Sequence, residues 1–275
     1  SSGSSITSGG NNIVIGYDAQ ASAATVSNEI TLGNTSITSL RIPGLQSGAA
    51  NGSVLTYNSS TGNITLSAGG GLSDNSTAST SIGVGTNALD SETSSGEDNT
   101  AFGVDAGTAI TSGEDNTAIG KNALKAISTE DQCTAVGGSA LQSQTGANTT
   151  AVGYNAGVFQ TTGGHTTYVG WYSGFGTNGS ATASFNTYVG SMSGYSASSG
   201  AYNVGVGYQS LYSNTTGDYN TGIGHSTLRS NTTANGNTAV GYVALYSNTT
   251  GDGNTAVGYQ ALEDCSTGSS NTVMG

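Results

Sequence analysis

One feature constrains this chain more than any other, and it is a period. The phrase Asn99-Thr100-Ala101-Phe102-Gly103 returns as Asn116-Thr117-Ala118-Ile119-Gly120. It returns again as Thr134-Ala135-Val136-Gly137, Thr150-Ala151-Val152-Gly153 and Thr167-Tyr168-Val169-Gly170. Its closing glycine continues at Gly190, Gly207, Gly224, Gly241, Gly258 and Gly275, and backwards at Gly85. The intervals from Gly85 are 18, 17, 17, 16, 17, 20, 17, 17, 17, 17 and 17 residues, and Gly16 and Gly33 are also 17 apart. Seventeen residues cannot hold a helical hairpin, and Gly and β-branched residues are poor helix formers. A unit this short cannot bury its own apolar face, so it must stack on copies of itself.

With the anchor glycine as position 0, position −1 is always apolar: Val84, Phe102, Ile119, Val136, Val152, Val169, Val189, Val206, Ile223, Val240, Val257 and finally Met274. Position −2 is mostly Ala, position −3 mostly Thr and position −4 often Asn. Position +4 alternates between Leu, as in Leu89, Leu124 and Leu211, and Gly, as in Gly107, Gly157 and Gly174. Turn-like stretches such as Thr215-Thr216-Gly217-Asp218 follow. This pattern predicts an all-β chain, a repetitive β-solenoid of the β-roll or β-helix kind with 17-residue turns. Each turn is expected to hold two strands of about five residues. The position −1 side chains are expected to form a core file, the +4 leucines a second file, and the position −4 asparagines a hydrogen-bonded ladder.

The period runs from about residue 80 to 275. Residues 1–36 read as a short repeat segment. Residues 37–79 read as a connector, with a strand over 37–42 stopped by Pro43, a hairpin of Ser53–Tyr57 with Asn63–Leu66, and a Gly-rich joint at 68–71. The last anchor is Gly275 with no capping repeat after it, so the expectation is a piece of something longer, or an end that meets another element. Each turn has little to bury, and the small-residue faces suit packing against copies, so an elongated homotrimer is expected.

Composition removes other classes. Four Lys and Arg among 275 residues cannot cover a phosphate backbone, and the net charge is −12, so nucleic acid is not an expected partner. No run of about 18 apolar residues exists, which leaves no helical membrane insertion. Gly does not recur every third residue and there is one proline, which excludes collagen. No basic n-region with an apolar run opens the chain.

The phrases Asn254-Thr255-Ala256-Val257-Gly258-Tyr259-Gln260-Ala261-Leu262 and Asn28-Glu29-Ile30-Thr31-Leu32-Gly33-Asn34-Thr35-Ser36 resemble tail-fibre proteins of bacteriophages, cyanobacterial phages in particular. The Asn-Thr-Ala-Val-Gly element is also similar to the head repeats of trimeric autotransporter adhesins. The adhesin repeat is shorter than 17 residues, and the self-cleaving chaperone domain that ends many such phage fibres is not seen. The resemblance implies a trimeric, extracellular fibre on a virion surface, used for host attachment.

The candidate chemistry is thin. Gly174-Phe175-Gly176-Thr177-Asn178-Gly179 matches a dinucleotide fingerprint, but so Gly-rich a chain yields such a match by chance and no helix is predicted after it. The only histidines, His165 and His225, are not in a metal-ligand spacing, and His225 stands where other repeats carry Tyr. Cys133 and Cys265 fall at different repeat positions and are read as fillers rather than a disulfide. The acids cluster at corners, as in Glu97-Asp98, Glu114-Asp115, Asp218 and Asp252; they read as solubilising turn residues, with a row of calcium sites as the lesser alternative. Sequons at Asn148, Asn214, Asn231 and Asn248 carry little weight in an Asn- and Thr-rich chain. We therefore expect no enzyme, no cofactor and no metal site. The aromatic residues Tyr168, Trp171, Tyr172, Phe175, Phe185, Tyr188, Tyr195 and Tyr202 crowd the stretch that holds the 20-residue interval. Insertions in solenoids map to binding faces, so these eight are the candidate receptor residues. A locally thicker core or a trimer contact is the alternative.

The functional expectation is a structural and adhesive phage fibre that binds a host-surface glycan or protein and contacts other virion proteins, without catalysis. A bacterial extracellular adhesin or filament subunit of the same architecture is the alternative. A polysaccharide-degrading tailspike ranks last, because it needs paired carboxylates in a groove and the acids here recur at turns.

Overall fold

The structure, a computed structural model, describes residues 80–275 apart from 94 and 177–180. Before residue 80 it describes 4–8, 10–15, 19–20, 23, 25, 27, 30–32, 54–57 and 64–67. The chain divides into two compact units, residues 1–67 and 68–275. In the first, β1 (Ile13–Ile15) pairs in parallel with β2 (Ile30–Leu32), and Ile13 stands opposite Ile30, one period on. β3 (Val54–Tyr57) pairs antiparallel with β4 (Ile64–Ser67). The strand expected over 37–42, the hairpin turn at 58–62 and the joint at 68–71 lie outside the described residues.

The second unit is a β-solenoid. Its twelve strands, β5 (Ile82–Val84) to β16 (Thr272–Met274), form one parallel sheet in strict sequence order. The register is one repeat throughout: Thr117 faces Thr134, Ala118 faces Ala135, Ile119 faces Val136. At about 4.8 Å per strand the sheet is roughly 53 Å tall. Among the described residues there is no helix.

Each turn holds one strand of three residues, not two of five. The rest of the loop is made of β-turns: the Ala88 N–H donates to Gly85 O at 3.2 Å and the Glu92 N–H to Leu89 O at 3.2 Å. The Asn, Gly, Asp and Ser that fill this stretch favour local turns over extended backbone. Inter-turn hydrogen bonding nonetheless continues around the loop. The Gly153 N–H reaches back to Val136 O (2.8 Å) and Asn155 to Gly138 O (3.0 Å), whereas Leu141 reaches forward to Ala156 O (2.9 Å) and Thr145 to Thr161 O (2.8 Å). The anchor glycine makes this spacing possible. Gly120 has φ +127°, and a Cβ there would lie 2.6 Å from Gly137 O on the next turn.

The core register differs from expectation by one residue. Position −2 points inward: Ala101, Ala118, Ala135, Ala151, Ala239 and Ala256 are buried. The position −1 file from Val84 to Val257 points outward, with Phe102, Ile119, Val152, Ile223 and Val257 exposed and the others half-buried. Alternation along a strand forces the choice. The inner column is narrow because the +4 leucines Leu89, Leu124, Leu141, Leu211, Leu228 and Leu245, all buried, fill the interior from the opposite wall. These leucines sit in the left-handed region, Leu124 at φ 48° and Leu141 at φ 50°. That conformation costs roughly 1–2 kcal/mol, and burial of the side chain, worth about 1.5–3 kcal/mol, offsets it.

Where position −2 is a ring, position +4 is glycine. Tyr168 is buried and occupies the space above Gly174, where any Cβ would overlap the ring. A Cβ on Gly194 would lie 2.6 Å from the ring of buried Tyr188, and one on Gly205 2.9 Å from it. At Gly174 and Gly194 the +4 glycine is thus volume compensation for the ring in the same turn, whereas Gly107 is covered by Ile110 and Leu89, and Gly157 by Leu141 and the Tyr168 ring.

Asparagine at −4 clips turns together. Asn203 Oδ1 accepts the Asn220 N–H at 2.9 Å, and Asn203 Nδ2 donates to Gly217 O at 2.8 Å. Asn99, Asn186, Asn220 and Asn254 repeat both contacts. The amides mostly bond the next turn's backbone rather than one another. A true amide ladder stands at +7, where Asn231 Nδ2 donates to Asn214 Oδ1 (2.8 Å) and Asn248 Nδ2 to Asn231 Oδ1 (3.1 Å).

Candidate functional site

The period stacks side chains from equal positions in neighbouring turns, so aromatic residues 17 apart become columns. At −5, His165, Phe185, Tyr202 and Tyr219 stack with centroids 5.1, 5.1 and 5.0 Å apart and ring planes within 2°. At +1, Tyr208, His225, Tyr242 and Tyr259 stack at 5.2, 5.0 and 5.3 Å. At +5, Phe175, Tyr195 and Tyr212 stack at 4.9 Å, and the Arg229 guanidinium continues the column between Tyr212 (5.0 Å) and Tyr246 (5.6 Å). Arg229 Nε donates to Gln209 Oε1 at 3.0 Å, which fixes its plane. In the −5 and +5 columns, and in the +1 column from His225 to Tyr259, ring faces meet ring faces, whereas Tyr208 is tilted by 34° to His225.

The eight candidate receptor residues divide into three groups. Tyr168 and Tyr188 are buried core rings, 6.1 Å apart, and cannot meet a receptor; their selection is corrected by the inward direction of position −2. Burial pushes both hydroxyls upward from the ordinary tyrosine range. Phe185 and Tyr202 belong to the face-to-face −5 column. Trp171, Tyr172, Phe175 and Tyr195 come together. Tyr172 is the hub, 4.3 Å from Trp171, 4.8 Å from Phe175 and 6.2 Å from Tyr195. Burial and the neighbouring Tyr212 and Tyr172 raise the Tyr195 hydroxyl.

Two further rings complete the cluster. Tyr154 lies 5.9 Å from Tyr172, and Phe159 lies 4.8 Å edge-on to Phe175. The columns are legible as positions 17 residues apart, but a search for local crowding passes over them. The rings here are tilted, at 56° between Tyr154 and Tyr172, 62° between Trp171 and Tyr172 and 80° between Phe159 and Phe175. Tyr154 is 53% and Trp171 49% exposed, no more than the column rings Tyr219 (63%) and Tyr259 (68%), so the cluster is set apart by the tilt of its rings and not by their exposure. This is the arrangement that stacks on a sugar ring or an apolar side chain. The four residues 177–180, which carry the rest of the long interval, lie outside the described residues.

The other candidates have structural occupations. The acidic corners hold turns: Asp131 Oδ1 accepts the Glu114 N–H (2.8 Å), Asp218 that of Ala201 (2.7 Å) and Asp252 that of Asn235 (2.6 Å). Among the described residues no group of three His, Cys, Asp or Glu could hold a metal ion. Gly174 of the glycine motif lies against Tyr168. Cys133 and Cys265 are free, and burial pushes the Cys133 thiol up to about 11. The sequon asparagines Asn214, Asn231 and Asn248 are buried in the +7 ladder.

No family model, no curated protein and no solved structure matches this chain.

Proposed function

We propose that this chain is a structural and adhesive fibre segment, a homotrimer carried outside the cell on a phage virion, which attaches to a host surface without catalysis. The observation that supports this reading is the tilted ring cluster of Tyr154, Trp171, Tyr172 and Phe175 on a repeat that is otherwise closed by ladders. A solenoid held by side-chain and backbone bonds at every turn suits a rigid spacer. Its exposed, tilted rings Tyr154 and Trp171, beside Tyr172, suit contact with a host glycan or surface protein. Buried acids paired across a groove, which a hydrolase would use, are replaced by acids spent on turns.

The test is adsorption of the labelled full chain to host cells. Trp171→Ala with Tyr154→Ala removes the two exposed rings of the cluster and leaves the −5 and +5 columns intact. Binding is expected to fall at least tenfold with the far-UV circular dichroism unchanged. Unchanged adsorption would move the attachment site elsewhere.

A further inference from the structure

We infer that the outward face of the second unit's sheet, built from positions −5, −3 and −1, is a contact surface for other copies of this chain, with the +1 column as its rim. This rests on the fibre reading and deepens it by naming the face that assembles it. Along each strand exposure alternates: −5 is exposed, −4 buried, −3 half-buried, −2 buried and −1 half-buried to exposed. Every outward position thus lies on one face. The −1 column there is an unbroken apolar file, with Val152, Ile223 and Val257 at 39%, 41% and 37% exposure. Soluble monomers rarely leave so long a continuous apolar strip open.

Charge singles out the same surface. The chain has 20 charged side chains and a net charge of −12, so two copies repel unless they meet where charge is absent. From Gln132 to Gly275, none of the positions −5, −3, −1 or +1 is Asp, Glu, Lys or Arg. The acids in this stretch sit to either side, as at Asp218 (position −6) and Glu263 (position +5). Depletion of charge at the centre is the compositional mark of protein interfaces.

The size is sufficient as well. The nine strands from Thr134–Val136 to Thr272–Met274 in this charge-free stretch, at about 4.8 Å each, and the roughly 13 Å from position −5 to −1, give about 560 Å² per copy. That is about 1,100 Å² for a pair, above the roughly 1,000 Å² a specific interface needs. The +1 rings rim the face; Tyr154 and Trp171 of the attachment cluster stand on that rim, and Tyr172 and Phe175 lead away from it at positions +2 and +5.

The experiment uses the full chain. Light scattering should give a mass of two or three copies. In a Cys265→Ser background, a cysteine in place of Tyr219, at −5 on the face and 63% exposed in the single chain, should react with maleimide at least tenfold more slowly than one in place of Thr216, likewise exposed but away from the face. Val206→Asp with Val240→Asp should reduce the mass to one copy and open the Tyr219 position to labelling. An assembly in which Tyr219→Cys labels as fast as Thr216→Cys would overturn this face while leaving self-association intact. A single-copy wild type would overturn self-association through any face. The mass of the Trp171 and Tyr154 variant is measured beside its adsorption, so that lost binding at unchanged mass reports on attachment alone. Both cysteine sites are open in a single chain, so the pair decides the matter even if the aspartate variant does not fold.

Discussion

The turns before Tyr168 and those after Tyr188 share one backbone and fill it differently. In the earlier turns position +7 is apolar at Ile110 and Ile127, both buried, and the −4 column loses its asparagine at Cys133, Thr149 and Thr166. In the later turns −4 is Asn without a break from Asn186 to Asn271, and +7 becomes Asn214, Asn231 and Asn248. The earlier half mixes buried hydrocarbon at Ile110 and Ile127 with polar +7 side chains at Glu92, Gln144 and Gln160 and with asparagine clips only at Asn99 and Asn116, whereas the later half carries the −4 amides without a break. The two tyrosines mark the changeover, with glycines making room for each ring. The loop path is therefore fixed by something common to both halves, and core chemistry is free to vary within it.

The common element is the anchor glycine, and its replacement has the largest expected effect. Gly120→Ala in the earlier half and Gly241→Ala in the later half both put a Cβ on the backbone of the next turn, at φ +127° and +136°. Strain of about 1–3 kcal/mol from the backbone alone adds to that overlap, so a loss above about 4 kcal/mol is expected in each half. Urea unfolding measures it. A tolerant half would mean the loop path is not shared after all.

The second effect separates the halves. Asn220→Ala leaves the Asn237 N–H without its acceptor (3.0 Å) and takes one of two donors from Ala234 O (2.7 Å), which keeps Asn231 Nδ2 at 3.1 Å. Orphaning one buried backbone group costs about 1–3 kcal/mol, and the upper part of that range is expected here. At Cys133 the thiol makes only long contacts, 3.4 Å to Gly146 O and 3.7 Å to Asp131 O, so Cys133→Ala is expected to cost about 1 kcal/mol. Equal losses at the two sites would show that the asparagine clips contribute no more than a filler.

Third comes pH. The Cys133 thiol is raised from 9.0 to about 11, chiefly by burial. A raised folded-state value means its contribution is complete below pH 9 and is lost as the pH climbs to about 11. The free energy lost across that window is on the order of 2 kcal/mol. Tyrosines titrate in the same window, so the quantity to measure is the difference between wild type and Cys133→Ala from pH 8 to 11. Starting from about 1 kcal/mol in favour of the wild type, it should pass through zero and change sign as pH rises to about 11. A constant difference would place the thiol in contact with water.

Much of this fold is legible in the sequence, and the departures have definite causes. The anchor glycines set period, strand position and parallel order. Asparagine at −4 announces contact between turns, but its amide mostly bonds the N–H and C=O of the next turn's backbone, and the expected amide-to-amide ladder stands at +7 instead. The inward face is easily misread because Val is more apolar than Ala, and hydrophobicity alone puts Val inside. The corrective signal is present as covariation along the chain: Tyr168 with Gly174 and Tyr188 with Gly194 show that −2 and +4 share one space. Left-handed Leu124 and Leu141 are not legible, since leucine disfavours that conformation and only burial holds it there. For the candidate site, local crowding picks out Trp171, Tyr172, Phe175 and Tyr195 correctly as neighbours. It also picks out two core rings, and it misses Tyr154 and Phe159, whose proximity comes from stacking one turn away.

The smallest expected effect tests whether the outer columns stabilise the later half or merely decorate it. Arg229 sits between Tyr212 and Tyr246 at 5.0 and 5.6 Å, half-buried, with Gln209 orienting it. Cation–π pairs at exposed sites contribute about 0.5–1 kcal/mol, and a guanidinium between two rings makes two. Arg229→Ala should therefore lose about 1 kcal/mol in urea. Arg229→Lys should recover less than half of that, because an ammonium lacks the planar face that stacks on both rings. Arg229→Tyr would continue the column from Tyr195 to Tyr246 as an all-ring stack and should be close to neutral. If alanine is as stable as tyrosine here, the +5 column contributes nothing to the array, and its rings in the later turns are as free for contact as those around Tyr172.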